Sequence, residues 1–191
     1  VASKGLLVVI SSPSGGGKST VIRHILRQGH PNHRYSISAT TRAKRPNETD
    51  GVDYWFVDAA QFDTMIAAGD LVEYEEVHGH LYGTPVKPLE KWLGEGCIVF
   101  FDIDVKGAFS IKQRFPEDTV MIFIAPPDFA TLKKRLIGRG TEASDDVRIR
   151  LGRVPMEMEQ GKLFDYQVVN QDLDKTILEV NTIIAGRLRQ A

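Results

Sequence analysis

The chain has 191 residues, with 24 Lys and Arg against 25 Asp and Glu, a formal net charge of −1. So even a balance leaves no electrostatic footprint for general binding to nucleic acid or to a membrane surface. The single cysteine, Cys97, excludes an internal disulfide, and no apolar run approaches the roughly 20 residues of a membrane-spanning helix.

A chain of this length can bury roughly 70% of the surface its unfolded form exposes, so one compact unit is expected without covalent staples. "LLVVI" (6–10) reads as a buried strand and not as a secretory leader, because it lacks a basic flank and a cleavage site. A cytoplasmic protein is therefore expected. Lys18 to Arg27 has helical patterning, with Gly29 just past its end. "YSISA" (35–39) is the next strand. Residues 35 to 96 are richer in Tyr, Trp, His and turn residues and read as an inserted lobe with short, partly antiparallel strands. Within it, "DAAQFDTMIAAGD" predicts a helix capped by Asp58, with Gln61 three residues on and Gly69 as its stop. "CIVFFDID" and "TVMIFIA" are continuous apolar runs, which suits strands covered on both faces, and Cys97 is expected to be a small buried hydrophobe. "PPDFATLKKRLIG" predicts a helix capped by Asp128 with Leu132 and Leu136 inward; "GRGTEASDD" is expected to be mobile. "RLGRVPMEMEQG" is expected to kink or break near Pro155. After the strand "YQVVN", a last helix places Ile177, Val180, Ile184 and Leu188 on one stripe. Strand alternating with helix predicts an α/β fold with a mainly parallel sheet flanked by helices.

The stretch "SSPSGGGKST" (11–20) carries the sharpest chemical signal. Ser12 to Ser19 fits the phosphate-binding pattern G-x-x-x-x-G-K-[ST], except that Ser12 replaces the first glycine. The setting fits too, with a buried strand before it and a helix after it. Glycine lets successive backbone N–H groups point into one hollow, and the following helix adds the positive end of its dipole. Ser14, Gly15, Gly16, Gly17, Lys18, Ser19 and Thr20 are thus the expected cradle of a nucleoside triphosphate, and the motif alone does not separate kinase, GTPase and motor. Lys18 reaches toward the β- and γ-phosphates, and the Ser19 hydroxyl is placed to hold Mg²⁺. Asp102 and Asp104 share a face at the carboxyl end of "FFDID", where open α/β sheets bind ligands. Asp102 is the second candidate for Mg²⁺, directly or through water.

The order of further motifs resembles the guanylate kinase family from about residue 5 to residue 188. The motifs are "TTR-x-x-RP-x-E-x-x-G-x-x-Y-x-F", "E-x(8)-YGT", "DID-x-x-G", "RL-x-GRG" and "VVN". The resemblance implies a core of about residues 1–34, 97–130 and 160–191. It also implies a GMP-binding lobe of about 35–96 and a lid of about 131–159. Arg42, Arg45, Tyr54 and Tyr82 would hold the acceptor's phosphate, a role forked guanidinium donors and hydroxyls suit. Glu73 and Asp104 would face the guanine N1 and N2 donors, and Ser38 and Thr84 the O6 acceptor. Adenine presents a lone pair at N1, and a site built on hydrogen bonds rejects such a mismatch by about 10⁴-fold or more. Arg135, Arg139 and Arg150 would be lid clamps on phosphate, acting in catalysis with Lys18 and Arg42, and Asn170 would lie beside adenine. Lys106 stands where many relatives carry glutamine.

The reaction implied is ATP + GMP giving ADP + GDP, with dGMP as a further acceptor and a homo-oligomer compatible with the family. The attacking oxygen already belongs to a phosphate, so no general base is required. Closure of lobe and lid over the substrates is expected, to keep water out. His78 and His80 lack a third ligand at zinc spacing, so no zinc site is expected. Two rival readings fit the sequence: a phosphotransferase of the same architecture with another acceptor, and a guanylate-kinase-like module that binds proteins without catalysis. Lys18, Ser19 and the lid arginines favour an enzyme.

Overall fold

The computed structural model describes residues 5–77, 79–137 and 144–190. In chain order its elements are β1 (Leu6–Ser11), α1 (Lys18–Arg27), β2 (His33–Tyr35), β3 (Ala39–Thr40) and β4 (Trp55–Phe56). Next come α2 (Ala59–Ala67), β5 (Leu71–Val77), β6 (His80–Pro85), α3 (Val86–Gly94), β7 (Ile98–Asp102) and α4 (Val105–Arg114). The chain finishes with β8 (Thr119–Ala125), α5 (Phe129–Ile137), α6 (Ser144–Gly161), β9 (Tyr166–Val169) and α7 (Leu173–Gln190). The main sheet has the order β2-β7-β1-β8-β9 and every pairing in it is parallel. A second sheet, β4-β3-β6-β5, is mixed: β3 runs parallel to β4, while β6 runs antiparallel to both β3 and β5.

The continuous apolar strands are covered on both faces, and strand alternation decides which residue goes where. Leu6, Val8 and Ile10 of β1 join Ile122 and Ile124 of β8 beneath Val21, Ile22 and Ile25 of α1 and Ile177, Val180 and Ile184 of α7. Leu7 and Val9 turn the other way, into a cluster with Phe101, Met121, Phe123, Leu89 of α3 and Val105, Ala108 and Ile111 of α4. Cys97 is buried in this second cluster with its thiol free. The pairing of Ile10 with Asp102 brings the carboxyl ends of β1 and β7 side by side, so the loop after β1 and the acids after β7 open on one edge.

Helix α1 spans the residues its pattern predicts, and α2 carries a full capping box between Asp58 and Gln61. Asp128 caps α5, accepting from the Thr131 N–H at 2.6 Å. Other expectations need correcting. "YSISA" is not one strand: Tyr35 ends β2 in the main sheet, Ala39 begins β3 in the second sheet, and the chain crosses between sheets at Ser36 to Ser38. Helix α6 runs unbroken through Pro155. Proline removes one helical hydrogen bond, but Leu151, Val154 and Met158 all pack on Leu132 and Leu136 of α5, which holds both halves of the helix on one surface. Leu188 is 37% exposed, since the buried stripe of α7 ends at Ile184. The sequence reading gives no helix at α3 or α4. Most of "GRGTEASDD" lies outside the described residues, as does Arg139.

Candidate active site

The loop between β1 and α1 wraps a hollow whose shape depends on missing side chains. Gly17 takes φ of 100° at the start of α1, and a Cβ there would run into the Asn170 side-chain amide. A Cβ on Gly16 would meet the Ser12 Cβ at 2.7 Å. That explains how a serine is tolerated at the first position of the motif: its side chain fills the space Gly16 leaves, and its hydroxyl donates to the Pro13 carbonyl at 3.0 Å. Lys18 Nζ lies 3.3 Å from Asp102 Oδ1, which ties the lysine of the loop to the acid at the end of β7.

A cavity of about 770 Å³ opens beside the loop, lined among others by Gly15, Gly17, Thr20, Arg135 and Asn170. Arg135 donates from Nη2 to the Asn170 carbonyl at 3.1 Å; its Nη1 is buried with no hydrogen-bond partner among the described residues. Arg135 lines the cavity wall, where a guanidinium suits an anionic ligand. Asn170 lines the same cavity and also braces the loop. Its amide N–H donates to the Gly16 carbonyl at 2.8 Å and its amide oxygen accepts from Thr176 at 3.3 Å, so it buttresses the loop from the end of β9. Arg150 sits on α6, half-buried.

Across the cleft, the second sheet assembles the other predicted residues. The Arg42 guanidinium lies 5.4 Å from the centre of the Tyr54 ring, and its Nε donates to the Tyr82 hydroxyl at 3.2 Å. Tyr54 and Tyr82 meet edge to face, and burial raises the Tyr54 pKa, so its phenol keeps its proton as a donor. The Arg45 side chain is exposed, while its backbone N–H donates to Glu48 at 2.9 Å. A cavity of about 510 Å³ runs from this cluster to the loop, lined by Tyr54 and Glu48 on one side and Ser19 and Asp102 on the other. Ser38, Tyr54 and Asp102 line a smaller recess next to it.

Glu73 on β5 accepts from the Thr84 hydroxyl of β6 at 2.6 Å, and Thr84 is fully buried. Burial raises the Glu73 carboxyl, and the nearby charges of Asp104 and Glu75 push the same way while Thr84 opposes them. Asp104 therefore lies within electrostatic reach of Glu73. Two details add to the sequence expectation. The Thr84 hydroxyl donates to Glu73, so Thr84 positions that carboxylate. Asp104 caps α4, accepting from the Gly107 N–H at 2.8 Å with one of its two oxygens.

The sequence reading gives no role to Glu48 or Glu157. Glu48 holds Arg42 through both oxygens, and its place three residues after Arg45 in the quoted motif was the available signal. Glu157 on α6 is raised by burial and opposed by Lys18 and the Ser14 N–H. Its spacing of seven from Arg150, two helical turns on one face, was a weaker signal.

The guanylate kinase family model matches residues 4–187. The chain belongs to the guanylate kinase family. A guanylate kinase from Zymomonas mobilis is 44% identical over 184 residues, covering 96% of this chain and 85% of that protein. A guanylate kinase from Salinibacter ruber is 45% identical over 185 residues, covering 96% and 95%. The crystal structure of guanylate kinase from Anaplasma phagocytophilum matches with a TM-score of 0.76 at 33% identity, covering 97% of this chain and 87% of that one. The α/β fold with its parallel central sheet is thus that of a guanylate kinase. No helix among the described residues is long and apolar enough to cross a membrane.

Proposed function

We propose that the protein transfers the γ-phosphoryl group of ATP to GMP, giving ADP and GDP, by direct in-line displacement in the cytoplasm. The observation that carries the acceptor assignment is the Glu73 carboxylate, held at 2.6 Å by buried Thr84 and lying near Asp104. Two acids at one end of the lobe complement the adjacent N1 and N2 donors of guanine. dGMP has the same base edge and the same phosphate, so it is included as an acceptor. The glycine-rich loop, Lys18 and Arg135 support ATP as the donor, and the cavity between Ser19 and Tyr54 supplies the gap across which the two phosphates meet.

Each unit pair of like charges 4 Å apart repels by about 4 kcal/mol at an effective dielectric of 20. Lys18 and the arginines offset that repulsion, most of all where charge spreads in the transition state. The Ser19 hydroxyl and Asp102 carboxylate are hard oxygen donors on the wall of one cavity, which fits Mg²⁺ brought in by ATP. When bound, Mg²⁺ neutralises charge on the phosphate oxygens. Lys18, 3.3 Å from Asp102, stays beside that site. Arg150 on α6 and Arg139 are further phosphate clamps on this reading, and Arg42, Arg45, Tyr54 and Tyr82 grip the acceptor.

A panel of GMP, dGMP, AMP, CMP, UMP and ribose phosphates with ATP and Mg²⁺ tests the reading. Turnover of GMP and dGMP alone is expected. Equal turnover of AMP would remove the roles of Glu73 and Asp104, and no turnover of any acceptor would favour a protein-binding module.

A further inference from the structure

Arg42 has five N–H donors in a fixed fork. Nη1 gives one to the Ala43 carbonyl at 2.8 Å and one to Glu48 Oε2 at 3.0 Å. Nη2 gives one to Glu48 Oε1 at 2.7 Å, and Nε gives its one to the Tyr82 hydroxyl at 3.2 Å. One Nη2 hydrogen is left. The Glu48 Oε2 atom also takes the Arg45 backbone N–H at 2.9 Å. The two side chains are 13% and 15% exposed. Glu48 thus holds, with a single carboxylate, the guanidinium of one expected phosphate ligand and the backbone of the other.

We propose that Glu48 is a positioning residue for the acceptor's phosphate. The end-on grip of its two oxygens turns the guanidinium so that Nε meets the Tyr82 oxygen. The Tyr82 hydroxyl then accepts from Arg42 and has its own proton to give. The last Nη2 hydrogen of Arg42, the Tyr82 O–H and the Tyr54 O–H become donors for one phosphate, pre-set before it arrives. Glu48 also cancels one positive charge of the cluster, so the site gains geometry and gives up some attraction, which suits a product that must leave. The alternative is that Glu48 competes with phosphate for Arg42, and the two ideas differ in sign. This inference rests on the proposed GMP reading for its substrate.

The test uses Glu48→Gln and Glu48→Ala in the full chain. Gln keeps the shape but turns one acceptor into a donor facing the guanidinium. The expected result is a KM for GMP raised about tenfold in Gln and more in Ala, with the KM for ATP unchanged. Unchanged ATP kinetics also report an intact fold, and Gln carries the test if Ala does not fold. An unchanged or lower KM for GMP in Glu48→Gln would overturn the proposal and make Glu48 a bystander or a competitor. Binding of inorganic phosphate, followed by NMR of the Arg42 Nε–H, gives a readout free of turnover. Weaker binding and faster exchange of that proton in Glu48→Gln are expected; unaltered binding and exchange would also overturn it. If wild-type protein turned over no GMP, the acceptor reading would fail by itself, and the phosphate titration would still decide the role of Glu48.

Discussion

Replacing Thr84 by valine removes one hydroxyl from a fully buried position while keeping its shape. That hydroxyl donates to Glu73 at 2.6 Å, a short bond to a charged acceptor. Losing it leaves a largely desolvated carboxylate one donor short, at a cost of about 1–3 kcal/mol. For a domain of this size the melting temperature should fall by about 2–4 °C for each kcal/mol. The same loss takes away the main influence that opposes burial at Glu73, so its pKa should rise further. The acid limb of kcat/KM for GMP, which follows ionisation of Glu73, should then move to higher pH in Thr84→Val. Urea unfolding and a pH profile measured on both proteins check this. A stability change below about 0.5 kcal/mol together with an unmoved acid limb would refute the idea that Thr84 holds the base-reading carboxylate.

Gly17→Ala should lower kcat/KM for ATP by about 10²-fold, because φ of 100° and the clash with Asn170 force the phosphate cradle to shift; wild-type kinetics in that variant would contradict the loop geometry. Lys18→Ala should cut transfer by about 10²–10³-fold or more while thermal unfolding changes little, since its pair with Asp102 is partly exposed and contributes modestly. Glu157 has a carboxyl raised by burial, so its contribution to stability is full below its unfolded value of about 4.3 and declines as pH rises through its folded value. Glu157→Gln should therefore gain stability over wild type toward alkaline pH, and parallel urea midpoints across pH 4 to 9 would count against it. Chelation of Mg²⁺ should stop turnover and its return should restore it; full activity in excess chelator would remove the Ser19 and Asp102 assignment.

The parallel core was legible because period and burial agree: "LLVVI" and "TVMIFIA" are apolar without a break, and both faces of those strands are covered. The glycine-rich loop was legible because a motif with a fixed mechanism stood between a strand and a helix. "YSISA" misled because an apolar run does not say which sheet its halves join; Ser36 reaches the Phe100 carbonyl while Trp55 reaches the Ser38 carbonyl. At Pro155 the expected break is absent: α6 is continuous there, with Val154 and Met158 packed beside α5 on either side of the proline. At the site, the residue types were readable but the spending of their protons was not. Thr84 gives its proton to Glu73, Asn170 commits its amide to the loop, and Glu48 occupies the fork of Arg42. The first two pairings join residues 11 and 154 positions apart, which spacing in the chain does not encode; Glu48 lies only six from Arg42, and there the motif held a signal.

The proposed reaction requires one chain to hold donor and acceptor phosphates face to face for a single displacement. ATP made chiral at its γ-phosphorus with three oxygen isotopes tests this most directly, with GMP as acceptor and the product's configuration read by phosphorus NMR. Inversion is the predicted result. Retention would mean that the phosphoryl group stops on the protein first, which would contradict direct in-line transfer.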